Sequence, residues 1–262
     1  MTSPGTAPDT TAPLTPRALS FDTAASQYAA NRPSYPPTLL DAIEELSGNP
    51  LTGTRVADIG AGTGLATALL HARGAEVIAV EPGTGMAAEF RRALPDVPLV
   101  LGDGNALPLA DRSVDLLTYA QSWHWTDPER SVPEALRVLR PGGALALWWN
   151  TDAPDVPWIA DQADRIARHY GADATFDKSG RPVRPADPTG RLRFTSRELP
   201  WSRRVPLDTH LANITSHSLF LIHGPDRAAA FLTAERAHLL ERFPDGIVEE
   251  TYVVQLLLAS SP

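Results

Sequence analysis

Residues 55–149 alternate between two hydrophobic periods, and that alternation constrains the fold more than any other feature of the chain. Arg55-Val-Ala-Asp-Ile-Gly60 is a short apolar run ended by glycine, the pattern of a strand buried on both faces. Leu65, Leu69 and Leu70 then share one helical face, and Gly74 falls where a helix C-terminus is capped. The same reading predicts strands over residues 76–80, 97–101, 114–119 and 144–149. Helices are expected over 84–94 and 128–139, the second stopped by Arg140-Pro-Gly-Gly143. Five strand–helix alternations in about 100 residues predict an α/β protein built on a doubly wound, mostly parallel sheet, with helices on both faces.

The flanks are less regular. Residues 1–20 are rich in Thr, Pro, Ala and Ser and bury little, so a disordered tail is expected. A helix pair broken by Pro33 and by Pro36-Pro37 is expected over residues 21–42. Past Asn150, residues 154–170 read as a helix leaving the sheet, 178–190 as a long loop, 194–205 as a strand, 207–241 as helical and 250–258 as a last strand. The expected organisation is a tail over 1–20, a ligand-binding core with an N-terminal helical cap over 21–150, and an acceptor-binding lid with the last strands over 151–262.

Composition removes several classes of function. The formal charge of −8 and the absence of a dense Lys/Arg run argue against a nucleic-acid or anionic-membrane surface. With no cysteine there can be no disulfide, thiolate metal site or cysteine nucleophile. The N-terminal stretch lacks an apolar signal core, and no run of about 18 apolar residues suggests a membrane span. A cytoplasmic protein, monomeric or homodimeric, is the expectation.

Asp58-Ile-Gly60-Ala61-Gly62-Thr-Gly64 lies between a strand and a helix. Glycines there let the backbone approach a ligand closely, and the helix N-terminus offers unpaired N–H groups. The dinucleotide pattern G-x-G-x-x-G would need glycine at position 65, which is Leu65. Glu81 ends the second strand, where a carboxylate can hold both hydroxyls of a ribose. After the third strand, Gly102-Asp103-Gly104-Asn105 can meet the amine and ring nitrogens of adenine. A plain βα turn and an Asx turn would use some of the same residues.

Phe21-Asp, Tyr28, Arg32-Pro-Ser-Tyr-Pro36, VADIGAGTG, AVEPGTGM, GDGNALPLADRSVDLL, AQSWHWTD and ALRVLRPGGALALWWN together carry a resemblance to a known family. The chain resembles the class I S-adenosylmethionine (SAM)-dependent methyltransferases with a Rossmann-like fold. It is most similar to the small-molecule "type 11" group, related to ubiquinone-pathway and trans-aconitate methyltransferases. The resemblance covers residues 21–150 and implies SAM as cofactor, with S-adenosylhomocysteine as product. It implies a cofactor-binding set of Tyr28, Arg32, Asp58, Gly60, Ala61, Gly62, Gly64, Glu81, Pro82, Met86, Asp103, Gly104, Asn105 and Gln121. Within that set the loop of residues 60–64 would meet the methionine portion, Glu81 the ribose, Asp103 and Gly104 the adenine edge, and Met86 its face. Tyr28 and Arg32 would close over the cofactor, with Arg32 a partner for its carboxylate. Gly104-Asn105 departs from the Ala-Glu that the family often carries there.

The fourth strand ends in Ala120-Gln-Ser-Trp-His-Trp125, without the Asn/Asp-Pro-Pro-aromatic motif of nucleic-acid amino methyltransferases. A small-molecule acceptor is therefore expected, with no nucleic acid and no metal. His124, at the carboxyl edge of the sheet, is the candidate general base, and Tyr28 is the other candidate catalytic side chain. Trp123, Trp149 and Asn150 are candidate pocket residues, and the tryptophans suit a flat, electron-rich acceptor such as an indole. Trp148 and Trp149 must point to opposite sheet faces, so one of them serves packing. His210, His217 and His223 lack metal spacing and are expected to be solvated or to cap helices. A nicotinamide-dependent oxidoreductase and a SAM-fold protein without methyl transfer remain as alternatives.

Overall fold

A computed structural model describes residues 31–171, 187 and 189–261. Tyr28, the tail expected over 1–20 and most of the loop expected over 178–190 lie outside these residues. The described chain opens with α1 (Pro37–Ser47), β1 (Arg55–Ile59), α2 (Leu65–Ala72), β2 (Glu76–Glu81), α3 (Thr84–Ala93) and β3 (Leu99–Leu101). It continues with β4 (Val114–Ala120), a 3₁₀ turn (Trp123–Trp125), α4 (Pro128–Val138), β5 (Leu139–Asp152) and α5 (Pro157–Tyr170). Last come β6 (Thr195–Pro206), α6 (Leu207–Thr215), α7 (Ser218–His223), α8 (Pro225–Arg242) and β7 (Ile247–Ser260).

Among the described residues these strands form one seven-stranded sheet in the order β3-β2-β1-β4-β5-β7-β6. The first five run parallel, and β7 lies antiparallel between β5 and β6. The doubly wound sheet expected from the alternation is thus present. One face packs Val56, Leu116, Ala146 and Trp148 against Leu39 and Ile43 of α1, Leu70 of α2 and Phe90 of α3. The other packs Ile59, Leu117, Leu147 and Trp149 against Val132, Ala135 and Val138 of α4. Trp148 and Trp149 sit on opposite faces, as the strand period requires.

Three boundaries differ from expectation. Pro37 begins α1 rather than breaking it, because a proline at the first helical position loses no intrahelical hydrogen bond. Residues 140–143 end α4, but they also form an excursion within β5: Leu139 already pairs with Val114, and pairing resumes at Ala144 opposite Leu116. The helical stretch over 207–241 is three helices, divided near Ser216 and at Gly224.

Helices α5 to α8 build a separate core around Ile166, Tyr170, Leu211, Phe220 and Phe231. A buried polar chain ties that core to the sheet. Arg203 Nε of β6 donates to Glu250 Oε2 of β7 at 2.5 Å, and Glu250 Oε1 lies 2.7 Å from His210 Nδ1. The Gln162 amide nitrogen lies 2.9 Å from His210 Nε2 and donates to Glu235 Oε1 at 2.9 Å. Arg165 then closes on Glu235 with bonds of 2.6 and 2.7 Å. His210 is therefore a buried member of an ionic chain rather than a solvated side chain. His223 does meet a helix carbonyl, with Nδ1 2.8 Å from the oxygen of Leu219. No helix among the described residues is long and apolar enough to cross a membrane.

Candidate active site

Parallel strands deliver their following loops to one edge of a sheet. Here β1 lies between β2 and β4, so the chain reverses its lateral progress at β1, and open α/β sheets bind ligands at such a point. That edge receives the loop of residues 60–64, Glu81 with Pro82, Asp103 to Asn105, Gln121 to His124, and Asn150.

The glycine loop is anchored from below. Asp58 is fully buried and accepts from Thr67 Oγ1 at 2.6 Å and Thr118 Oγ1 at 2.9 Å, joining β1 to α2 and β4. Burial pushes its carboxyl up to about 6, and the two threonine bonds offset part of that push. The amides of Gly60 and Ala61 donate to the carbonyl of Val80, at 2.8 and 3.2 Å. Glu81, also buried, accepts from the Gly62 amide at 2.8 Å through Oε2 and from the Gly83 amide at 2.8 Å through Oε1. One carboxylate thereby aligns the loops after β1 and β2. A Cβ built on Gly62 would meet nothing within 4 Å, so space lies open over the loop. Open space over backbone amides beside a buried acceptor carboxylate fits a cofactor that carries a diol.

Gly64, with φ 92°, turns the chain into α2, and a Cβ there would come within 2.7 Å of Leu94 Cδ1. Gly64→Ala should cost about 1–2 kcal/mol from left-handed strain alone, read by urea unfolding, and should weaken ligand binding by deforming the loop.

Beyond β3, the Asn105 amide donates to Asp103 Oδ1 at 2.6 Å, and Asn105 Oδ1 accepts from the Asp127 amide at 2.7 Å. The departure at Gly104 has a steric reason: a Cβ would lie 2.8 Å from Thr126 Cγ2. Met86 is buried on α3. Gln121, beyond the end of β4, has φ 59°, and its amide donates to the carbonyl of Trp148 at 2.8 Å. A left-handed non-glycine residue is strained, and such residues concentrate at functional sites.

Ser122 Oγ donates to the Ile59 carbonyl at 2.5 Å, tying the loop after β4 to the end of β1. Trp123 is buried, its ring edge-on to Tyr119 at 4.8 Å. His124 is exposed at the edge, its ring 4.5 Å from that of Trp125. Its Nδ1 accepts from Trp149 Nε1 at 3.2 Å. Asn150 Oδ1 accepts from Trp201 Nε1 at 2.8 Å. On the lid side, Arg203 Nη2 donates to the Asn31 carbonyl at 3.2 Å, bringing the segment that carries Arg32 against β6. Burial first, then the charges of Arg32 and His210, hold His217 well below its ordinary value.

A family profile described as a methyltransferase domain matches residues 57–147. An uncharacterized methyltransferase of Mycobacterium tuberculosis is 45% identical over 150 residues, which is 57% of this chain and 60% of that protein. A methyltransferase-like protein of Schizosaccharomyces pombe is 32% identical over 227 residues, covering 86% of this chain and 87% of its own length. The chain belongs to the class I SAM-dependent methyltransferases. A solved structure assigned to a type II methyltransferase from Anaeromyxobacter dehalogenans superposes with a TM-score of 0.64 at 26% identity, over 87% of this chain and 97% of that one. The methyltransferase fold itself implies SAM binding.

Sequence reading of this methyltransferase passed over Thr67, Thr118, Ser122 and Gly83. Thr118 had a visible signal, a hydroxyl following the apolar pair Leu116-Leu117 inside β4. Ser122 acts through a contact between two loops, which no local pattern encodes, whereas the Gly83 amide meets Glu81 two residues earlier.

Proposed function

We propose that this methyltransferase transfers the methyl group of SAM to a small-molecule acceptor held between the carboxyl edge of the sheet and the helices of residues 151–262. The observation that carries the reading is Glu81, whose buried carboxylate aligns two loops at the mouth of open space over Gly62. SAM supplies a methyl group on a positively charged sulfur. Asp58 holds the glycine loop from beneath, and the loop amides, Glu81 with Pro82, Met86 and Asp103 to Asn105 bind the methionine, ribose and adenine portions. Gln121 and Arg32 close the site. Catalysis then rests on alignment of the acceptor with the methyl group, which can supply about 7–11 kcal/mol of barrier reduction.

The exposed His124 has the Trp125 ring beside it and the Trp149 indole hydrogen-bonded to it, and these two rings form the acceptor side. Trp123 is buried against Tyr119, and Asn150, next to Trp149 in β5, turns to the other sheet face toward Trp201. This wall suits a flat, electron-rich acceptor. Relatives over part of the chain include a demethylmenaquinone methyltransferase of Beutenbergia cavernae, 39% identical over 109 residues, and a malonyl-[acyl-carrier protein] O-methyltransferase of Methylococcus capsulatus, 40% identical over 138 residues, whose names give different acceptors.

Calorimetry should show binding of SAM and S-adenosylhomocysteine and none of NAD. Binding of NAD with no response to SAM would sink the reading. A small-molecule library incubated with methyl-labelled SAM then identifies the acceptor and the labelled atom.

A further inference from the structure

The contact between Trp149 and His124 determines more than ring position. An indole N–H only donates, so His124 Nδ1, 3.2 Å from Trp149 Nε1, is the accepting nitrogen. A neutral imidazole carries one proton and one lone pair in the ring plane. With the lone pair at Nδ1 engaged by the indole, the proton sits on Nε2.

Both partners are held firmly. Trp149 is buried within β5, which pairs on one side with β4 and on the other with β7, where Trp149 faces Gln255. His124 sits in the 3₁₀ turn, whose flanking amides of Trp125 and Thr126 donate to the carbonyls of Ser122 and Trp123 at 3.0 Å each. Strand pairing and the turn thus fix the backbone from which both rings project.

We infer that Trp149 is a positioning residue that fixes His124 as a hydrogen-bond donor to the acceptor, through Nε2–H, in place of the general base expected from sequence. This rests on the methyl-transfer reading above. A base must present a bare nitrogen to the acceptor, and the bare nitrogen here faces Trp149. The acceptor that suits a donor carries a lone pair beside its reacting atom, an oxygen or an unprotonated ring nitrogen. In the transfer the acceptor's electron pair forms the bond to the methyl carbon as the carbon–sulfur bond breaks, and that pair stays on sulfur. Any proton the acceptor then holds passes to water.

The test is ¹⁵N correlation spectroscopy of histidine-labelled protein, saturated with S-adenosylhomocysteine at mildly alkaline pH, with the His124 signals assigned by their loss in His124→Gln. The wild type should show the Nε2–H tautomer, and Trp149→Phe should shift His124 to a mixture with Nδ1–H. A wild-type Nδ1–H tautomer, or a pattern unchanged in Trp149→Phe, overturns the inference. The wild-type spectrum decides the matter even if the variant fails to fold. With an acceptor in hand, single-turnover transfer separates donor from base. Glutamine retains an N–H donor, so His124→Gln should stay within about tenfold of wild type, whereas His124→Ala should lose about 10²–10³-fold. Equal, large losses in both would overturn the donor role. Failure of S-adenosylhomocysteine to bind in the same samples would instead count against the methyltransferase reading, leaving the tautomer result intact.

Discussion

Glu250→Ala should lower the unfolding free energy by about 3–5 kcal/mol, the cost of breaking a buried charge pair by removing one partner. Its carboxylate is 2% exposed and holds Arg203, His210 and Asn213 together. Alanine would strip Arg203 of its buried carboxylate partner, leaving it the Asn31 carbonyl, and Asn213 Nδ2 of one of its two acceptors, beside an Asn213 Oδ1 with no hydrogen-bond partner among the described residues. Urea unfolding provides the measurement, and a midpoint equal to wild type would contradict the account. The same residue predicts a pH dependence. Burial alone would raise the Glu250 carboxyl, but the hydrogen bonds and charges of His210 and Arg203 outweigh it and hold it at about 2. A carboxyl depressed in the folded state stabilises the fold above its unfolded value near 4.5 and loses that contribution as pH falls toward 2. About 3 kcal/mol should therefore disappear across that acid window in the wild type. Glu250→Ala should show a correspondingly flatter acid limb.

Glu81→Ala should weaken SAM binding by about 1.5–3 kcal/mol, or roughly 10- to 150-fold, from loss of the charged hydrogen bonds to the ribose. The structure adds a second reason. Alanine also strips the acceptor from the amides of Gly62 and Gly83, so the loops after β1 and β2 lose their common alignment. Glu81→Gln, which keeps one acceptor oxygen, should fall between alanine and wild type. Calorimetry with SAM and S-adenosylhomocysteine checks this, with circular dichroism to confirm folding. Unchanged affinity in a folded alanine variant would remove Glu81 from the site.

The strands of the parallel half were legible because they are short, mostly apolar runs between glycine and proline stops, interrupted only at single positions such as Asp58, Asp115 and Thr118. The cofactor loops were legible for a related reason: backbone that must approach a ligand excludes most side chains. What escaped was fixed by partners distant in sequence. Nothing near His210 announces Glu250 or Gln162, and its burial follows from how α5, α6 and β7 pack. Similarly, His124 was recognisable as a site residue from its place after β4. The tautomer inferred for it depends on an indole 25 residues away. The excursion at residues 140–143 was read as a stop because glycine and proline mark a bulge and a helix end alike.

The chain leaves the sheet at Pro206 and returns at Ile247, and these two residues are paired across neighbouring strands. The Leu207 amide even continues the ladder to the Gly246 carbonyl at 2.8 Å. Everything between them is therefore a long excursion whose two ends the sheet already holds together. Closing such an excursion adds little entropy cost as its length changes, since each doubling costs only about 0.6 kcal/mol. The position is a natural cassette boundary. Helices α6 to α8 could change in length in a descendant protein, provided His210, Asn213 and Glu235 keep their buried partners, while β6 and β7 stay zipped and the glycine loop, at the far side of β4, keeps its shape.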